Sequence, residues 1–161
     1  MLLLLLRHGE AEEPGPGRPD AKRRLTPQGE AENRLCLEAV RRAGVRPDAI
    51  VHSPLVRAAQ TAQAAAEFLE PPDGLNEDER LACGAELQDV AAISRQYGRE
   101  TLMLVGHNPD LSLIAGELIG GAAVALKTSG IAAVRLPVVA AGAGELQWLI
   151  KPKLFASPED G

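Results

Sequence analysis

Aromatic side chains are scarce: one Trp, one Tyr and two Phe make up 2% of the 161 residues. A surface that reads single-stranded bases needs stacking platforms, so this scarcity argues against one. A basic surplus is missing as well. The formal net charge is −5, whereas nucleic acid and anionic lipid both attract proteins through basic surfaces. Any anion site must therefore be local. Cysteine is limited to Cys36 and Cys83, without a Cys-x-x-Cys spacing, which excludes a disulfide framework and the common zinc patterns and fits a reducing compartment. The apolar opening Met1–Leu6 is too short to span a bilayer or to form a signal h-region, and no basic stretch precedes it. The expectation is a cytoplasmic protein with neither nucleic acid nor membrane as partner.

What is present is an ordinary globular composition, 45% hydrophobic and 24% charged, enough for one domain over residues 1–152 with a frayed tail over 153–161. Leu2–Leu6 is a continuous apolar run of buried-strand length. Glu12–Asp20 contains Pro14, Gly15, Pro16, Gly17 and Pro19 and predicts a surface loop. Thr26-Pro27 marks a helix start, as N-cap and first helical residue, with the helix running to about Ala43 before Gly44. Ala49-Ile50-Val51 forms a second strand. Ser53-Pro54 repeats the cap-plus-proline signal for a second helix, whose Leu55, Ala59, Ala62, Ala66 and Leu69 share a face. Pro71–Gly84 reads as irregular and acidic, Glu86–Tyr97 as a helix, and Thr101–Val105 as a strand. Asn108 and Pro109 then cap and open a helix that ends at Gly120-Gly121. Ile131–Leu136 and Leu146–Ile150 close the series as strands. This alternation predicts an α/β fold, with a mostly parallel sheet covered on both faces.

All three histidines, His8, His52 and His107, fall at the C-terminal ends of predicted strands, where open parallel sheets bind ligands. Two are followed by helix starts, which offer free N–H groups and partial positive charge to an anion. Arg57 lies at about the fourth position of its predicted helix. A cation there opposes the helix dipole unless an anion binds beside it. Arg7 follows strand one directly, and an arginine grips phosphate oxygens through paired N–H groups. Three histidines at one crevice raise the question of a metal, but the accompanying arginines repel a cation, so no metal is expected.

The residues Leu6-Arg7-His8-Gly9-Glu10 resemble the Arg-His-Gly signature of the histidine phosphatase superfamily, the phosphoglycerate-mutase-like group. Ser53-Pro54-Leu55-Val56-Arg57-Ala58-Ala59-Gln60-Thr61-Ala62 is similar to its second motif, and Gly106-His107-Asn108-Pro109 to its third. Arg23-Arg24-Leu25-Thr26-Pro27-Gln28-Gly29 is similar to a further segment that supplies an arginine. The short middle section and the Lys127-Thr128-Ser129-Gly130-Ile131 turn resemble the SixA-like branch, which removes phosphate from phosphohistidine. The resemblance implies a three-layer α/β/α sandwich without a helical lid subdomain.

It also implies a cofactor-free, metal-independent mechanism. His8 would attack phosphorus through Nε2 while a backbone carbonyl holds its Nδ1–H, forming a covalent phosphohistidine that water releases. Arg7, Arg57 and His107 would bind the phosphoryl oxygens, His107 as a cationic donor, with Arg23 (or its neighbour Arg24) as a fourth contact. His52 matches no functional position. The family's general acid has no clear counterpart: Glu77, Asp78, Glu79 and Glu86 all lie in the relevant region, with Glu79 and Glu86 as the candidates. A phosphoramidate substrate has less need of one, because a protonated imidazole is a good leaving group. The implied substrate is a phosphorylated protein such as a histidine phosphotransfer domain. The alternatives are a small phosphomonoester, handled by a phosphatase or mutase, and a non-catalytic phosphoryl-binding role.

Overall fold

A computed structural model describes residues 1–156. Its six strands are β1 (Leu2–Arg7), β2 (Ala49–His52), β3 (Leu75–Glu77), β4 (Thr101–Gly106), β5 (Ile131–Arg135) and β6 (Glu145–Ile150). They form one sheet in the order β3-β2-β4-β1-β5-β6. The first four run parallel, while β5 is antiparallel to β1 and β6 antiparallel to β5.

The unbroken apolar run of β1 follows from burial on both faces, which removes any need for alternation. Leu3 and Leu5 enter one core with Val90, Ile93, Leu111 and Ile114. Leu4 and Leu6 enter a second core on the opposite face, with Cys36, Leu37, Val40, Ala58 and Ala62. All four leucines are fully buried, each contributing roughly 1.5–3 kcal/mol of transfer free energy. Helices α1 (Pro27–Arg42) and α2 (Val56–Leu69) thus cover one face, and α3 (Leu87–Tyr97) and α4 (Asp110–Leu118) the other. The expected three-layer α/β/α sandwich is what forms. Between α2 and α3 the chain makes only β3 and a 3-10 turn over Glu79–Leu81, so no helical lid is inserted there.

Helix α1 starts as its sequence predicts: Thr26 accepts the Gly29 N–H at 3.0 Å and Pro27 occupies the first turn. Helix α2 does not. Its N-cap is Leu55 and its first residue Val56, because the Ser53 hydroxyl is engaged by Leu55 N–H and by a histidine instead of capping. Arg57 is therefore the second residue of its helix, not about the fourth. Helix α4 likewise begins at Asp110 with Pro109 as N-cap. Asn108 spends its side chain on the Leu126 carbonyl and the Ser112 hydroxyl. The segment read as irregular contains β3, a three-residue edge strand that pairs with β2 from Ile50↔Leu75 to His52↔Glu77. Of the expected frayed tail, Pro152–Leu154 forms a 3-10 turn with Pro152 buried, and 157–161 lie outside the described residues.

Candidate active site

The sheet register brings the site together. Strands β1 and β4 are parallel neighbours with Arg7 opposite Gly106, so the next residues, His8 and His107, leave the sheet side by side. Their ring centroids are 5.2 Å apart. The end of β1 is held by three backbone bonds: Arg7 N–H to Gly130 O, His8 N–H to Gly106 O, and Ser129 N–H to His8 O.

His8 has a defined tautomer. Its Nδ1 lies 2.7 Å from the Gly9 carbonyl, and Arg57 Nε donates to its Nε2 at 3.3 Å. A guanidinium only donates, so Nε2 carries the lone pair and Nδ1 the proton. Burial is the main cause that pushes this imidazole down to about 3, aided by the positive character of His107, Arg57 and Arg7 and opposed by the Gly9 hydrogen bond. A neutral imidazole with its lone pair at Nε2 is the form that attacks an electrophile.

Helix α2 fixes both partners of this contact. Thr61 accepts from the Gly9 N–H at 3.1 Å and from Asn33 Nδ2 at 3.2 Å, and its hydroxyl donates to the Arg57 carbonyl at 2.8 Å. The loop after β1 approaches α1 closely enough to require glycine. A Cβ on Gly29 would stand 2.2 Å from Glu10 O, and one on Gly9 would stand 2.9 Å from Gly29 O.

Three arginines converge. Arg57 is 3% exposed and sits in the first turn of α2. Among the described residues Arg7 has no acidic partner: Nη1 donates to the Leu126 carbonyl at 3.2 Å, and its buried Nε has no partner. Glu10 is occupied by the Thr26 hydroxyl, and Glu12 by Arg18 and the Arg24 N–H. Of the adjacent pair, Arg23 is the one drawn in. Its Nε donates to Asp20 Oδ1 at 2.9 Å and its Nη1 to Glu12 O at 2.8 Å, whereas Arg24 is exposed.

Asp20 is the residue that sequence reasoning missed. Its carboxylate bridges Arg23 and Arg57, with Oδ2 3.2 Å from Arg57 Nη2, while its backbone carbonyl accepts from Arg57 Nη1 at 3.0 Å. Partial burial raises its affinity for a proton, but the Arg23 hydrogen bond and the Arg57 charge outweigh this and hold the carboxyl below its usual range. Within a Pro/Gly-rich loop an aspartate reads as solvated. The available signal was its spacing of three residues from Arg23.

The other candidates are placed as follows. His107 is buried, and its Nε2 lies 2.7 Å from the Ser53 hydroxyl. Burial first, then Arg57, Arg23 and Arg7, push it down to about 4 against the pull of Asp20. In the free site this favours the neutral imidazole of His107. His52 ends β2 with its Nδ1 2.8 Å from the Ser53 carbonyl. None of the four acidic residues after α2 has a hydrogen bond or ion pair to His8, His107 or the three arginines. Glu77 and Glu79 are exposed. Asp78 is held by Arg80, whose hydrogen bonds keep it ionised. Glu86 serves in the capping box of α3. Cys83 is exposed, with its Sγ 3.9 Å from Arg57 Nη2.

The model of the histidine phosphatase superfamily (branch 1) matches residues 3–83. An uncharacterized protein of Picosynechococcus sp. is 32% identical over 163 residues, covering 96% of this chain and 94% of its own. The protein histidine phosphatase SixA, solved with tungstate, superposes with a TM-score of 0.86 at 26% identity, covering 97% of this chain and 100% of that one. A phosphoserine phosphatase of Entamoeba histolytica shares the fold, with a TM-score of 0.68 at 17% identity over 96% of this chain and 99% of that one.

Proposed function

Because the chain belongs to the histidine phosphatase superfamily, we propose that it is a phosphatase that hydrolyses phosphohistidine on a protein through a covalent phospho-His8 intermediate. The observation that carries this reading is the His8 geometry: Nδ1–H anchored on Gly9 O and the Nε2 lone pair beside Arg57. A site built only to bind phosphoryl groups has no need of such a nucleophile.

The chemistry runs in two in-line displacements. A phosphoryl group enters among Arg7, Arg57 and His107, displacing the Arg57 contact that covers the Nε2 lone pair. The lone pair forms an N–P bond to phosphorus while the P–N bond to the substrate imidazole breaks. The leaving imidazole keeps that electron pair and, already protonated on its other nitrogen, departs neutral. Water then attacks phosphorus, the bond to Nε2 breaks, and phosphate leaves with the water oxygen while the released proton passes to solvent. Arg7, Arg57 and His107, with Arg23 at the rim, stabilise the charge spread over the phosphoryl oxygens.

Two features support phosphohistidine over a phosphomonoester. Among the described residues no carboxylic acid stands ready to protonate an alkoxide, since the carboxylate bonded to the site's arginines, Asp20, is held ionised by them. The site also lacks an inserted helical lid, so a protein surface has access. The similarity to SixA, a protein histidine phosphatase, supports the same substrate class, and a histidine phosphotransfer domain is the proposed partner. Two free cysteines support a cytoplasmic setting. The test compares phosphate release from a phosphohistidine protein and from p-nitrophenyl phosphate, for wild type and His8→Ala. Rapid turnover of the first alone, lost in His8→Ala, is expected. Comparable turnover of both would move the assignment to a general phosphomonoesterase.

A further inference from the structure

Ser53 lies at the junction of β2 and α2, fully buried, with no role in capping the helix it precedes. Its hydroxyl oxygen accepts the Leu55 N–H at 3.2 Å and lies 2.7 Å from His107 Nε2. A hydroxyl has one proton to donate, and among the described residues His107 Nε2 is the acceptor recorded for it. Were Nε2 protonated, the fully buried serine would have no acceptor for its proton among the described residues, and a buried polar hydrogen without a partner is costly. His107 Nδ1 is itself buried, with no partner among the described residues, beside the ring of His8.

We propose that Ser53 is a positioning residue that donates to His107 Nε2, fixing the tautomer in which His107 offers a neutral Nδ1–H to a phosphoryl oxygen. The two histidines are then held in opposite tautomers by opposite devices. A carbonyl takes the Nδ1 proton of His8 and exposes its lone pair, while a hydroxyl occupies the Nε2 lone pair of His107 and exposes its N–H. One ring is thereby the nucleophile and the other a donor that needs no protonation to act. The catalytic meaning of this assignment rests on the phosphatase reading, whereas the tautomer itself is a property of the free protein.

The test reads the tautomer directly. Long-range proton–nitrogen NMR on the full chain with nitrogen-15 histidine reports which ring nitrogen is protonated, with the His107 signals assigned by their loss in His107→Gln. The expected wild-type spectrum shows a protonated Nδ1 and a bare Nε2 at neutral pH. In Ser53→Ala the His107 signals move to the other tautomer or to a mixture, and vanadate affinity and kcat fall by about tenfold or more. A protonated Nε2 in the wild type overturns the proposal without recourse to any variant. So does a folded Ser53→Ala with the His107 tautomer and vanadate affinity unchanged. Absence of turnover on every phosphoryl substrate would count against the phosphatase reading, yet leave the tautomer standing on its spectrum.

Discussion

The Asp20 carboxylate lies 3.2 Å from Arg57 Nη2, on a guanidinium that also donates to His8 Nε2. An incoming phosphoryl group must share this cation with Asp20 or displace it. Since the Asp20 side chain is 57% exposed, the contact is screened and modest in strength. Asp20→Ala is expected to bind vanadate and inorganic phosphate about two- to fivefold more tightly, with the difference shrinking at high salt. Weaker binding in the variant would show instead that the carboxylate holds the arginines in their working positions.

Arg57→Lys is expected to be far from conservative. Arg57 reaches His8 through Nε while its terminal nitrogens reach the carbonyl and carboxylate of Asp20, an arrangement a single ammonium cannot reproduce. Loss of about a hundredfold in kcat, with the melting temperature little changed, is the expected steady-state result.

The pH profile should carry the mark of a buried nucleophile. In the proposed mechanism His8 attacks as the neutral imidazole, so activity is present above its pKa and lost as pH falls through it. With His8 held down at about 3, chiefly by burial, kcat/KM corrected for substrate ionisation should stay level from pH 7 to pH 5. An acid limb centred near the free-histidine value of about 6.5 would contradict this.

Stability should respond in the opposite sense to that of a salt-bridged histidine. The folded pKa values of His8 and His107, about 3 and about 4, lie below those of unfolded imidazoles. The unfolded chain therefore binds more protons from about 6.5 downward. Unfolding is favoured as pH drops from about 6.5, down to about 4 for His107 and about 3 for His8. Chemical denaturation at several pH values should show this decline, and His107→Gln should make it shallower.

Gly29→Ala tests the packing that carries His8. The added Cβ would meet Glu10 O at 2.2 Å and Glu10 N at 2.8 Å, backbone atoms that cannot step aside without moving the loop after β1. A loss of about 1–3 kcal/mol is expected, read as a drop in melting temperature, together with lowered kcat because that loop begins at the nucleophile.

Much of the site was legible in the sequence because strand ends announce themselves. An apolar run that stops at Arg7-His8 or at Gly106-His107 delivers those side chains to one sheet edge, and parallel pairing of β1 with β4 does the rest. Arg57 was legible as a cation in the first turn of a helix, where only an anion makes it comfortable. The failures share a cause: a polar side chain has one set of bonds to give, and local rules assume it gives them locally. Ser53 and Asn108 look like N-caps, but His107, Leu126 and Ser112 claim their side chains. The helices start later as a result. The pairing of Asp20 with Arg57 was illegible for the complementary reason, the two lying 37 residues apart. Strand β3 escaped because three residues at a sheet edge, one of them exposed, leave no periodicity to detect.

The central claim is that His8 Nε2 becomes bonded to phosphorus during turnover. The measurement that tests it most directly is rapid quench in base of enzyme mixed with a phosphohistidine protein, followed by mass spectrometry of the peptide containing His8. One phosphoryl group on His8, formed and lost at rates compatible with turnover and absent in His8→Ala, is the expected result. Sustained turnover with His8 unmodified, or phosphoryl transfer that persists in His8→Ala, would contradict the mechanism.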